Sequence, residues 1–522
     1  MPPGSRALAL VLILIATAAV LLLASGGSEA ADIEHMDDWV ISSGTVLVSD
    51  KTIDVHGNVT VQGGAVLKLY NCTLDILCVV NGQYSMEVQA DGRLEAYGST
   101  ITGSDGYVDF WFRDDVVLEG CQLSRANGVQ SGGSIRGIMV VGGPVTMTDT
   151  VISDCRYQGI YAQADLNLDN VTVQDVDQSN VYMTNWGASA GDIAISIRDC
   201  TFHGSSAGGW WGAGVYFGRW GGDPDLDLTL LSTTFLGGAR GVYISGGSNS
   251  DVVVDDCEFH ECEVGVAFST QTTSGDYSIS NNIVDGNDLA DSVGFSLTIA
   301  DGFVPTLVNN VVQRVTTAYS ITGPWTGSAT ESLGNLTVSN CSRGVVTDRS
   351  VSLTVHNSSF AQMTSGLECF VADGGSTITI RDTVHPWGSG TVLNSNSWIR
   401  AHIDIGIRGA RWKDGDAIAE GELVLENITQ YEVARFNLSA VRSQDMIGWE
   451  VTNTDRRTSI YLYPAMYIEG HGFRGDRIDL RTYTPSIVEI VDDYVPSLDI
   501  SSPPDGRGFN VTTVLCDGPF DE

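Results

Sequence analysis

The chain has 522 residues, with 64 acidic side chains against 27 basic ones and a formal net charge of −37. Neutralising phosphates takes clustered lysine and arginine, so this balance argues against a nucleic-acid partner. The acidity reads as a strongly solvated outer face, with an attraction for divalent cations as its second consequence. The length leaves room for two or three domains.

Residues 1–31 read as a secretion signal. Arg6 supplies the positive start, Ala7 to Ala24 is apolar with only Thr17 as a polar break, and Ser28 and Ala30 fit a small-x-small cleavage site. At about 18 residues the apolar run is long for a signal and barely long enough to span a bilayer. The expectation is an exported chain, secreted or held at the cell surface, with this segment either cut or kept as an N-terminal membrane anchor.

Asp32 to Val66 opens the next unit, where Trp39, Val40 and Ile41 are expected to cover an exposed strand edge. A four-residue signature then recurs: Asn, Asp, Gly or Ser, any residue, a small or β-branched residue, and an apolar one. It starts at Asn71, Gly98, Gly120, Asp149, Asn170, Asp199, Ser232, Asp256, Asn281, Asn309, Asn335 and Asn357, with a degraded copy at Asp382. The spacing averages roughly 26 residues, a period that belongs to solenoids. Many copies are followed by a glycine-apolar strand, as at Gly159, Gly214, Gly241, Gly265 and Gly344. No stretch shows the 3.6-residue period of a helical solenoid. Short period-2 runs of Val, Ile, Thr and Phe lie between Gly, Asn, Asp and Ser instead. The fold predicted is all-β, a parallel β-helix of about 13 coils with three short strands per coil. Its rod would be on the order of 60 Å long at ~4.8 Å per stacked strand.

These repeats resemble those of the secreted right-handed parallel β-helix proteins of the pectin-lyase-like superfamily. The resemblance covers Thr45 to Trp398 and places the β-helix at residues 32–398. It implies the fold; the residues that carry it are those that build the coil, so it says little about activity.

Ten cysteines suggest a disulfide framework at first. Cys72, Cys121, Cys200 and Cys257 share one slot of the signature, and Cys155, Cys262 and Cys341 a second. No two same-slot cysteines fall in adjacent coils, so stacking does not bring them within disulfide range. They are expected to be small buried hydrophobes, with Cys72–Cys78 as the exception that bonds.

One interruption, Gly208 to Leu228, embeds Trp210, Trp211 and Trp220 among glycines and follows them with Asp223, Asp225 and Asp227. Exposed indole faces stack on sugar rings, and alternate aspartates on one strand face suit Ca²⁺. The three tryptophans are therefore glycan-contact candidates and the three aspartates metal candidates. The competing reading is an enlarged loop folded against the coil by its own aromatics. Tyr216 and Phe217 match the repeat strand itself.

Residues 399–493 lose the signature but keep strand patterns. Their end resembles the small carboxypeptidase-regulatory-like β-sandwich of surface proteins, with continuation of the β-helix as the rival. Residues 494–522 resemble the first two strands of an immunoglobulin-like repeat, either the start of a further domain or a strand pair packing on its neighbour. Of nine Asn-x-Ser/Thr sequons, Asn71, Asn170, Asn335 and Asn357 belong to the repeat, where their amides are expected to stack coil on coil. Asn58, Asn340, Asn427, Asn437 and Asn510 are the glycosylation candidates.

The superfamily includes polygalacturonases and pectate lyases, whose sites were sought. Asn453-Thr454-Asp455, Gly470-His471-Gly472 and Arg477-Ile478 are similar to polygalacturonase elements. They lie too close together in sequence to sit on stacked coils, and only Asp455 is offered where glycoside hydrolysis needs two carboxylates. For a lyase, Asp255, Asp256 and Glu258 with Arg240 form the nearest acidic group and base. The sequence points to no cofactor beyond Ca²⁺. It favours a non-catalytic extracellular scaffold, adhesive or glycan-binding, over its alternative, a Ca²⁺-dependent polysaccharide lyase.

Overall fold

The computed structural model describes residues 32–411 apart from short segments (132–133, 186–190, 206, 208, 219–224, 247–249, 271–274, 301–304, 325–327, 365–367, 382, 387–388 and 395), and beyond them the strands of the C-terminal part. The leader segment lies outside the described residues. Among the described residues, no helix is long and apolar enough to cross a membrane.

The chain winds as a right-handed parallel β-solenoid of three sheets. The first coil visits sheet 1 at Ile33–His35, sheet 2 at Trp39–Ile41 and sheet 3 at Gly44–Ser49, and each later coil repeats the circuit. Sheet 1 has 14 strands and sheet 2 has 15, each paired only with the coils before and after it. Sheet 3 runs in the same way from Gly44–Ser49 to Trp398, which pairs with Thr377.

The signature marks one corner. Its first residue adopts the left-handed conformation in every coil from Asp50 (φ 54) and Asn71 (φ 50) to Asn335 (φ 55) and Asn357 (φ 51). Asn, Asp and Gly tolerate that region best, which is why they dominate the position. Asp50-Lys51-Thr52-Ile53 is a further copy, one coil before the one at Asn71, and it has the same spacing and geometry. The two-residue corner never varies: Asp50-Lys51 separates Ser49 from Thr52 just as Asn357-Ser358 separates His356 from Ser359. All variation in coil length falls at the other two corners, and both flank sheet 2.

The third signature residue points outward and the fourth inward, as the pleat requires. Phe202, Phe235 and Phe259 stack in consecutive coils, the last pair with ring centroids 4.8 Å apart and planes 7° from parallel. From Cys72 to Ser358 the second residue is also buried and forms a ladder inside the corner, while Lys51 of the first copy is exposed. Asn282 is the clearest rung: its Oδ1 accepts the Cys257 N–H at 3.0 Å, and its Nδ2 donates to Asn310 Oδ1 at 3.0 Å. The glycines that open sheet 2 strands are forced by this packing. A Cβ on Gly241 would lie 2.2 Å from the Phe259 ring.

All nine described cysteines are buried and free, Cys72 and Cys78 among them, which corrects the disulfide expected for that pair. Each faces inward from a tight corner, where a thiol serves as a compact packing group. Burial pushes the Cys200, Cys257 and Cys262 thiols up to about 12.

Past the solenoid the pairing becomes antiparallel. Trp398–Arg411 leaves sheet 3 and pairs with Arg442–Thr452, while Glu422–Glu426 pairs with Glu432–Asn437 and Tyr461–Ile468. In the final segment Ser497–Ser501 pairs with Gly406–Arg411, and Val514–Phe520 reaches His471–Gly475.

Candidate functional site

In sheet 2 the glycine-apolar-aromatic strands hold their first apolar residue inward and their aromatic outward. Register therefore stacks Trp111, Met139, Tyr161, Tyr182, Tyr216 and Tyr243 along the outer face through six successive coils. Tyr182 and Tyr216 lie 4.2 Å apart with planes 3° from parallel, and Tyr161 and Tyr182 are 5.1 Å apart. Further along, the same row continues as Ala267, Ser296 and Ser320, changing from rings to hydroxyls.

Three guanidinium groups lie on this ridge: Arg113 over Trp111 at 4.4 Å, Arg136 over Tyr161 at 4.1 Å and Arg240 over Tyr243 at 4.9 Å. Ring quadrupoles hold them there. Arg113 also pairs with Glu87 at 2.7 Å. In Arg136 the Nε, and in Arg240 the Nε and Nη1, are shielded from solvent with no hydrogen-bond partner among the described residues. Burial raises the Tyr161, Tyr182 and Tyr216 hydroxyls above their ordinary range, so they act as neutral hydrogen-bonding groups.

The predicted contact residues fall partly here. Trp211 sits on the short 3-10 turn Gly209–Gly212, is 37% exposed, and has its ring 6.1 Å from that of Tyr182. Trp210 shares the turn, but its side chain lies outside the described residues, as do Trp220 and Asp223. Tyr216 joins the row of rings and is buried there among Tyr161, Tyr182 and Ala213, while Phe217 is buried in the solenoid core. The half-buried Asp225 and Asp227 face the next corner, where the Asp225 N–H donates to Asp192 at 3.3 Å and Asp227 Oδ1 accepts the Asp251 N–H at 2.9 Å. Among the described residues no group of three His, Cys, Asp or Glu side chains is arranged to hold a metal ion.

The acidic group weighed for a lyase is spent on the ladder. Asp255 accepts from Ser280 and Asn281, both at 2.7 Å, Asp256 accepts from Ser232 at 3.1 Å, and Glu258 pairs with His260 at 3.0 Å. Arg240 is turned to Tyr243. A different acidic group, passed over in the sequence, lies where sheet 1 turns toward sheet 2. Burial raises the Asp75 carboxyl, helped by Asp54 and Asp105 and opposed by a hydrogen bond from Ser104 and by Arg125. Burial likewise raises Asp109, which accepts from Asn127 at 2.9 Å. Tyr107 donates to Asp154 at 2.7 Å, and Arg125 lies 3.4 Å from the same carboxylate. The polygalacturonase-like residues do not stand on stacked coils: Asn453 follows Arg442–Thr452 and His471 begins His471–Gly475, both strands of the antiparallel C-terminal part.

Among the sequons, Asn58 donates through Nδ2 to Asp38 at 3.0 Å and accepts from the Ser85 N–H at 3.0 Å. Asn71 donates to Asp50 at 3.1 Å and Asn170 to Asp149 at 2.5 Å, the coil-on-coil contact expected of the repeat. Asn340 is exposed at a left-handed corner (φ 55). Asn427 and Asn510 lie outside the described residues. So does the Asn437 side chain, although its backbone ends strand Glu432–Asn437.

The ridge residues Tyr161 and Tyr243 were legible in principle. They recur after the glycine-apolar pair, at the position that a period-2 strand turns outward, whereas Tyr182 follows Asn180-Val181 and lacks the glycine. Arg136 and Arg240 carry no local signal, since only the register seats them on rings.

Residues 164–360 match the family model described as the right handed beta helix region. No curated protein matches the chain. Among solved structures it is similar to a mutant tailspike protein of E. coli bacteriophage HK620 in complex with pentasaccharide (12% identity, 80% of this chain and 87% of that chain, TM-score 0.33). It is also similar to PfbA, a surface adhesin of Streptococcus pneumoniae (11%, 72% and 91%, 0.31). A third is a mannuronic acid specific polysaccharide family 6 lyase enzyme from human gut microbiota (10%, 70% and 79%, 0.31). At these identities and TM-scores the likenesses carry no argument about what this chain binds.

Proposed function

We propose that this chain is an exported β-helix scaffold, secreted or on the cell surface, that binds glycan along the outer face of sheet 2 without transforming it. One observation carries the reading: an acidic protein concentrates rings and guanidinium groups on one row of sheet 2, whose central rings Tyr161, Tyr182 and Tyr216 are buried and whose ends Trp111 and Tyr243, with Trp211 beside Tyr182, stay partly open to solvent. Rings stack on the apolar faces of sugars, while arginine and hydroxyl groups meet their oxygens. Trp211 and Tyr243, at the edge of the ridge, are the contact residues, with Trp210 and Trp220 as further candidates from the same stretch of sequence. Export rests on the apolar segment after Arg6.

The second reading, a Ca²⁺-dependent polysaccharide lyase, draws on Asp54, Asp75, Asp105 and Arg125, where burial raises the Asp75 carboxyl near two further acids and a base. The test is to present immobilised neutral and uronic-acid polysaccharides to the full chain and to its Trp211→Ala and Tyr243→Ala variants, with and without Ca²⁺. Retention lost in both variants, with the polysaccharide recovered at its original length, supports the scaffold. Depolymerisation that stops in Arg125→Ala establishes the lyase and overturns the scaffold.

A further inference from the structure

The described sequons present one motif in two states. At Asn58, Asn71 and Asn170 the side-chain Nδ2 is already donating to a carboxylate of the neighbouring coil. Asn335 and Asn340 are both exposed, both left-handed at φ 55, and neither side chain has a hydrogen-bond partner among the described residues. They stand at the two ends of the short sheet 1 strand Thr337–Ser339. Five residues of extended chain set them about 16 Å apart. In each sequon the middle residue, Leu336 or Cys341, is buried, so the corner holds the Asn and the following Thr337 or Ser342 toward solvent.

We propose that Asn340 and Asn335 are N-glycosylated, so that this coil carries its carbohydrate on sheet 1, away from the aromatic row of sheet 2. The donor class is a lipid-phosphate-linked oligosaccharide. The Asn Nδ2 bonds to the anomeric carbon, the bond from that carbon to the phosphate oxygen breaks, its electron pair leaves with the lipid phosphate, and the surplus Nδ2 proton passes to a base. Asn357 follows Asn335 in the ladder, and the Asn335 N–H donates to His356 O at 3.1 Å. One stacked-strand step of ~4.8 Å leaves no room for two glycans. Occupancy at Asn335 therefore excludes occupancy at Asn357.

The inference rests on the export in the proposed function, and the experiment separates the two. The full chain is recovered from its own host by cell fraction and digested with trypsin. The peptide 315–343, which contains both asparagines, is then sequenced by mass spectrometry. The expected result is a chain outside the cytoplasm with saccharide mass on Asn340 and Asn335, lost from position 340 in both Asn340→Gln and Ser342→Ala. An exported chain with a bare 315–343 peptide, or one modified instead at Asn58, overturns the inference and leaves export standing. A cytoplasmic chain overturns export, and with it the modification.

Discussion

Among the described residues, Glu331 is the one acidic side chain that the solenoid turns fully inward. It alternates with buried Ala329 and Leu333 on its sheet 3 strand and stacks on Leu353 of the next coil. Its Oε1 accepts the Ser332 N–H at 2.9 Å, while Oε2 is buried without a partner among the described residues. Burial raises this carboxyl from 4.5 to about 8. A folded-state value above the unfolded one means that the folded chain holds the extra proton. Stability from this group is complete below pH 4.5, falls as pH rises, and is exhausted above pH 8. At ~1.4 kcal/mol per unit, the span amounts to about 5 kcal/mol, of which about 2 kcal/mol is lost between pH 6.5 and 8. Glu331→Gln keeps the shape and removes the charge. Urea midpoints of the two proteins, followed by tryptophan fluorescence, should agree near pH 5 and separate progressively to pH 8.5, with the variant the more stable. Their difference cancels every other titrating group. A difference that stays flat with pH, or a native protein that outlasts the variant at pH 8.5, refutes the account of a dry, unpaired carboxyl.

Three further outcomes follow from buried groups. His385 is held neutral, its imidazole lowered by burial to about 4. Its contribution to stability is lost as pH falls from 6.5 toward 4, and its ring proton shifts should not move until the acid end of that range. Asn310→Ala strands the Asn282 N–H and Nδ2 and the Ile279 carbonyl, costing about 3 kcal/mol, read as a lowered urea midpoint. The Cys200, Cys257 and Cys262 thiols, buried and raised to about 12, should resist alkylation in the native protein and react only on unfolding, at a rate that tracks global opening.

How much was legible depended on whether a residue repeats. The corner asparagines and aspartates, the inward phenylalanines and the same-slot cysteines recur in register, and their spacing alone put them on one edge or one face. Copy Asp50-Lys51-Thr52-Ile53 was missed although it fits, because Lys51 is unlike the small residues that fill its slot elsewhere. The Cys72–Cys78 bond was inferred from closeness in sequence. The pleat turns both thiols into the core at different corners, and sequence distance does not measure that. The Asp75 group was invisible because its members come from four consecutive coils and meet only through stacking. The same holds for Arg240, read as a base near acids when its contact is a ring.

The constant corner makes a sharper claim than any single side chain. Between sheet 3 and sheet 1 the chain always spends two residues, the first left-handed and the second, from Cys72 onward, buried. A strand's two faces exchange with every one-residue slip. Inserting one glycine between Asp256 and Cys257 would turn Phe259 outward, drive Glu258 into the space it left, and break the stack with Phe235. Losing a buried phenylalanine alone costs about 4 kcal/mol, and burying an unpaired carboxylate adds several more. The same glycine inserted in the connection between Gly246 and Ser250 changes only a corner that already varies from coil to coil. The first variant should be recovered as aggregate or be cut rapidly by protease, and the second should unfold within about 1 kcal/mol of the native chain. Equal tolerance at both places would mean that sheet 1 can slip. The lengthening of coils beside sheet 2 would then be accident, where the proposal that this face meets ligand needs it to be the only place the solenoid leaves free to vary.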